Sequence, residues 1–186
     1  MKRYEIIAAR RLLKGTDDFE TLADAGLDGP YVSPYQRISK STAGPVLLAT
    51  HWLDGLSARA YQGELAASGF LESMPFNQVL NRVLVILEKS RSDLYVTQCL
   101  HLLPKERRSE SRIPRHLLDE SFEGVTRHEL KGRKVVALGT IAAACCARHR
   151  ISCTPTWHPS RRRLSYDEKA AEIAEAVRAA MQGEWG

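Results

Sequence analysis

The chain has 186 residues, with 27 Lys and Arg against 22 Asp and Glu, a net charge of +5. That length supports one domain with a real core, and the 44% apolar and 26% charged fractions exclude a disordered or fibrous chain. No apolar run approaches the roughly 18 residues of a membrane-crossing helix. The start, MKRYEIIAARRLLKG, lacks the continuous apolar core and cleavage site of a secretory signal, so a cytoplasmic monomer with no membrane partner is expected.

Residues 3–14 carry Ile6, Ile7, Leu12 and Leu13 at helical spacing and read as a helix ended by Gly15. A second short helix is expected from Thr16 to about Ala25. The segment GLDGPYVSPYQRISKSTAGP has no period and reads as a long loop, a kind of segment that is often functional. PVLLAT (45–50) is a short buried-strand run. PFNQVLNRVLVILEKS places Phe76, Val79, Leu80, Val83, Leu84 and Leu87 on one helical stripe, with Pro75 near its start. DLYVTQ (93–98) is a strand and IPRHLLDESFEGVTRHEL a helix despite Gly124. KVVALG (134–139) is a strand, TIAAACCARHR a small-residue helix, and ISCTPTW a strand weakened by Pro155. Ser165 and Glu168 form an S-x-x-E capping box that opens a last helix burying Ala170, Ile173, Ala174, Val177 and Met181.

Strands alternating with long helices predict a three-layer αβα domain around a central, mostly parallel four-stranded sheet. Residues 1–44 would be N-terminal helices and loop, and 45–183 the core. In such a sheet the carboxyl ends of the strands share one edge, where ligands bind. Four segments should therefore converge. THWLDGLSARAYQGE offers Thr50, His51, Trp52, Asp54, Arg59 and Tyr61. CLHLLPKERRSESRIPR follows Gln98 and offers Lys105, Arg107, Arg108, Arg112 and Arg115. Gly139 and Thr140 open a helix whose N–H groups can meet an anion. CTPTWHPSRRRLS brings His158, Ser160, Arg161, Arg162, Arg163 and Leu164. Arginines of this kind suit phosphate contacts, which position a protein on nucleic acid without reading sequence. Taken singly, each residue also has a bland reading: an arginine run as solvated surface, Asp54-Gly55 as a turn, Tyr61 as core. The four cysteines include no C-x-x-C pair, so neither a zinc site nor an iron–sulfur cluster is expected, and no cofactor or metal.

Taken in order, these pieces resemble the uracil-DNA glycosylase superfamily. TWHPS matches the family's His-Pro-Ser motif at the end of the last strand. DLYVTQCLHLLP resembles the strand and loop where an Asn commonly stands, a position held here by Gln98. KGRKVVALGTIAAA is similar to the family's strand–Gly–helix segment. ARAYQGE resembles the Gly-Arg-Pro-Phe-Val-Gly stretch and puts Tyr61 where the family has a base-stacking Phe. The resemblance covers roughly residues 45 to 183. Where the first motif normally reads Gly-Gln-Asp-Pro-Tyr or Gly-Glu-x-Pro-Gly, this chain has ATHWLDG, with no Pro and no Gly in the expected place.

The resemblance implies a DNA repair enzyme that flips uracil from single- or double-stranded DNA and hydrolyses its N-glycosidic bond, leaving an abasic site. His158 would donate to the oxygen of the departing uracil anion. Asp54 or His51 would orient water, Tyr61 would stack on the ring, and Gln98 would read its edge, with Thr50 and Trp52 beside them. Ser160, Arg161–Arg163, Arg107 and Arg108 would hold the strand, the arginines after His158 would also fill the vacated stack, and Leu164 is a second candidate for that wedge. Two alternatives stand beside this reading: a non-catalytic nucleic-acid-binding relative, and a glycosylase for another deaminated base such as hypoxanthine.

Overall fold

A computed structural model describes residues 1–39, 41, 44–107 and 112–182. Its centre is a four-stranded parallel sheet of β2 (Val46–Ala49), β3 (Tyr95–Gln98), β5 (Val135–Leu138) and β6 (Thr154–Thr156), in the order β3-β2-β5-β6. β2 and β5 are apolar at every position and buried throughout, as interior strands covered on both faces must be. The register pairs Ala49 with Gln98 and Leu48 with Ala137, and Leu138 with Thr156.

Strand alternation divides the core in two. Leu47, Ala49, Val96, Val136 and Leu138 face a layer containing α4 (Pro75–Leu87) and α8 (Tyr166–Gln182). Val46, Leu48, Val135 and Ala137 face α1 (Arg3–Leu12), α5 (Arg115–Ser121), α6 (Arg127–Leu130) and α7 (Thr140–Arg148). The three-layer αβα architecture is therefore the one the strand–helix alternation predicts. α4 and α8 pack along each other through Val79, Leu80, Val83, Ile173 and Val177. The capping box at the start of α8 forms, with the Ser165 N–H donating to Glu168 Oε2 at 2.7 Å and the Glu168 N–H to Ser165 Oγ at 3.2 Å. Met181, expected inside, is half exposed at the end of that helix.

The N-terminal region differs from expectation. In place of a second helix from Thr16 to Ala25 there is a two-residue strand, β1 (Phe19–Glu20), antiparallel to β4 (Leu103–Pro104). The reason is local: Thr21 and Asp24 exchange three side-chain hydrogen bonds that close a turn, and such bonds compete with a helix. Phe19 thereby drops into the core. α1 ends at Leu12 rather than Gly15. The long loop holds a 3-10 turn, Pro34–Arg37, that packs on β3. Two helices not read from the sequence, α2 (Gly55–Ala60) and α3 (Gln62–Ser68), fill the segment after β2. Between α5 and α6 the backbone runs through a π-helical stretch, Phe122–Thr126, that accommodates Gly124. Among the described residues no helix is long and apolar enough to cross a membrane.

Candidate active site

The chain passes from β2 to β3 on one side, then returns so that β5 lies on the other side of β2. This reversal makes the carboxyl ends of β2 and β5 diverge and opens a crevice between them. A cleft of about 700 Å³ sits there, within the ~300–1,000 Å³ typical of small-molecule sites. His51, Trp52 and Asp54 enter it after β2, and Gly139 and Thr140 after β5. Trp157, His158, Ser160, Arg161 and Arg162 come from the segment after β6, and Arg107 from the loop after β4. The segments after β2, β5 and β6 thus converge as a parallel sheet predicts, while among the described residues the segment after β3 sends only Arg107 to the lining.

His158 is held on three sides. Its ring packs on Phe76 at 5.6 Å between centroids, its backbone carbonyl accepts from the Arg161 N–H at 2.9 Å, and its Nδ1 accepts from the Ser160 N–H at 3.1 Å. Burial lowers its pKa from 6.5 to about 4, so the ring is neutral near pH 7. A neutral ring whose Nδ1 accepts carries its proton on Nε2, which makes that nitrogen a donor.

Gly139, which caps α7, has φ 94° and ψ 168°, a region essentially confined to glycine. A Cβ there would stand 3.0 Å from Cβ of His158. Gly139→Ala is expected to lower stability by about 1–3 kcal/mol and displace the imidazole. A thermal melt measures the first. The His158 ring resonances in an NMR spectrum report the second, and unchanged resonances would contradict it.

The cleft is electropositive. Arg107, Arg161 and Arg162 stand on it, the amino end of α7 points at it, and Asp54 is the one carboxylate among its described lining residues. Arg161 lies over the ring of Trp157, 3.3 Å from its centroid, and Trp157 is 41% exposed. Arg163 and Leu164 are off the lining, and Arg163 takes a left-handed φ of 72° that turns the chain toward α8. Arg108 lies outside the described residues. Arg59, offered by the sequence to the same edge, instead pairs with the buried Glu20 at 2.6 Å.

The residues of the divergent first motif fall into two groups. His51 and Asp54 are half-buried on the cleft, and Trp52 lines it while its Nε1–H donates to the Gly69 carbonyl at 3.2 Å. Thr50 is wholly buried and does not reach the cleft, because its backbone still extends the ladder, accepting from the Leu100 N–H at 2.9 Å. Asp54 is the N-cap of α2: Oδ1 accepts from the Ser57 N–H at 2.8 Å and Oδ2 from the Ser57 hydroxyl at 2.9 Å. Asp54-Gly55 thus opens a helix in place of the expected turn, a structural role that Asp54 holds alongside its place on the cleft.

Two expected base contacts are not on the lining. Tyr61 lies beyond the whole of α2, at its junction with α3, and is 52% exposed. Gln98 shares the sheet edge and the face of Phe76 and His158, but three strand spacings, about 14 Å, separate its strand from β6. It is 2% exposed, and its Oε1 has no hydrogen-bond partner among the described residues. The aromatic wall is built instead by Phe76, from the first turn of α4, and Tyr35, from the 3-10 turn, with ring centroids 5.9 Å apart. The sequence signal for Phe76 was indistinguishable from that of a core residue. The signal for Tyr35 was only the length of its aperiodic loop. Comparison with protein-family models and with curated proteins finds no match to this chain.

Proposed function

We propose that the protein is a monofunctional DNA glycosylase that removes uracil from DNA by hydrolysis of the N-glycosidic bond. The observation that supports it most is His158: a neutral imidazole, protonated on Nε2, on the wall of an arginine-rimmed cleft. Uracil must leave the stack to enter such a cleft, at a few kcal/mol, and phosphate contacts from Arg107, Arg161 and Arg162 offset that cost. The bond between N1 and C1′ breaks with its electron pair leaving on the base. Charge collects on the uracil oxygen, and the Nε2–H of His158 donates to it. Water then adds to C1′, and the proton it releases ends on the departing base. Ser57 occupies one lone pair on each oxygen of Asp54, so the carboxylate keeps capacity to orient that water.

The same Ser57 bonds favour a second reading, a nucleic-acid binder in which Asp54 serves only as a helix cap. Single-turnover incubation with uracil-containing single- and double-stranded oligonucleotides separates the two. A glycosylase leaves alkali-labile abasic sites. A binder retards the DNA and leaves none, which would defeat the proposal. A parallel hypoxanthine substrate tests for another deaminated base.

A further inference from the structure

Gln98 is buried and off the cleft lining, which leaves the base edge that faces away from His158 to another residue. We propose that Tyr35 does so, its phenol hydroxyl donating to an exocyclic carbonyl oxygen of the flipped base. This rests on the glycosylase reading above and names the group that would give it specificity.

Four observations carry it. Tyr35 lines the cleft, and its ring continues the aromatic wall of Phe76 that touches His158 at the other end. Tyr35 is 9% exposed, and its hydroxyl, which has the Arg91 guanidinium as its charged neighbour, makes no hydrogen bond with any described residue. Burial raises its pKa above the ordinary tyrosine value, so the O–H stays a donor throughout the physiological range. Finally, the turn that carries it is fixed beforehand by the layer on the far face of the sheet. Gln36 donates to the buried Glu129 at 2.7 Å and accepts from the Val32 N–H at 3.2 Å, and the buried Arg10 donates to the carbonyls of Gly29 and Tyr31. A tyrosine held this way loses little freedom when it binds.

The cleft then offers two donors, the hydroxyl of Tyr35 and Nε2–H of His158, along one aromatic wall. That pair is complementary to a base with two carbonyl oxygens, as in uracil. Gln98, by contrast, is 2% exposed and its Oε1 has no hydrogen-bond partner among the described residues, so replacing it by leucine removes an unsatisfied acceptor from the interior.

The test is fluorescence anisotropy with two labelled single-stranded oligonucleotides. One carries 2′-fluoro-2′-deoxyuridine, whose glycosidic bond resists hydrolysis, and the other a tetrahydrofuran abasic analogue at the same position. Wild type is expected to prefer the uracil probe, and Tyr35→Phe to cut that preference about tenfold, the loss of one hydrogen bond. Affinity of Tyr35→Phe for the abasic probe should be unchanged, a split that a general loosening of the fold would not give. Gln98→Leu should retain the wild-type preference. Full preference in Tyr35→Phe, or its loss in Gln98→Leu, overturns the assignment while leaving the glycosylase reading in place. Equal wild-type affinity for both probes overturns the assignment, whereas the glycosylase reading falls separately, on the absence of abasic sites in the single-turnover incubation.

Discussion

His158→Ala is expected to slow uracil release about 10²–10³-fold in single-turnover assays, the usual consequence of removing one donor aimed at developing charge. The residue is well suited to that duty because nothing asks it to carry charge beforehand. With its pKa near 4 it remains a neutral Nε2–H donor across the working range, so it introduces no inflection in rate between pH 5 and 8. A histidine at the ordinary value of 6.5 would introduce one. The same shift has a thermodynamic consequence of definite sign. As pH falls below 6.5 the unfolded chain takes up a proton that the folded chain refuses until about pH 4, so the stability associated with a neutral His158 is full above 6.5 and declines through that window. His158→Asn removes the decline. A rate inflection near pH 6.5 that disappears in His158→Ala would contradict the neutral-donor assignment.

The parallel sheet was legible because its signals are redundant: β2 and β5 are uniformly apolar, and the striped α4 and the small-residue α7 separate successive strands. That alone predicted the edge on which His51, Asp54, Gly139 and His158 meet. What could not be read was which side chains at that edge stay open. Gln98 and Ala49 share a register, yet Gln98 is buried on a strand against which a turn sixty residues earlier in the chain packs, and no periodicity reports such a crossing. Tyr61 was displaced by α2, a six-residue helix too short to show a stripe and started by the Asp54 cap. Thr16–Ala25 failed for the opposite reason. Its composition permits a helix, but the Thr21–Asp24 turn and the burial of Phe19 in a second, two-stranded sheet outweigh propensity.

The turn that packs on β3 is anchored in part by a buried carboxylate, and removing it is expected to have the largest effect on stability. Glu129 lies on the face of the sheet away from the cleft, its side chain fully inaccessible. Oε1 accepts from Gln36 Nε2 at 2.7 Å and from the Tyr95 hydroxyl at 2.7 Å; Oε2 accepts from the Thr97 hydroxyl at 2.6 Å, with His101 Nε2 at 3.5 Å. Thr126 continues the network, its hydroxyl donating to the Gln98 carbonyl at 2.8 Å, and Nε2 of His101, 3.1 Å from Thr126 Oγ1, shares its proton between that oxygen and Glu129. Burial by itself would raise the pKa of Glu129, but the bonds from His101, Thr97 and Tyr95 outweigh it and hold the carboxyl below its ordinary value. Glu129→Ala strands these donors in a closed interior and is expected to cost about 3–5 kcal/mol. In a chain of this size that lowers the melting temperature by about 6–20 °C. Glu129→Gln, which keeps one acceptor oxygen, should lose less. The sign with pH follows from the depressed pKa: the contribution is complete above the unfolded value of about 4.3 and is lost as pH falls through the lower folded value. Because Gln36 is one of the four partners, the same substitution frees the turn that carries Tyr35. Hydrogen exchange at the Val32 and Gln36 amides should therefore quicken in Glu129→Ala, although the substituted side chain sits across the sheet from the cleft. A variant that melts within 1–2 °C of wild type and keeps those amides protected would show that the network is ornamental to the fold.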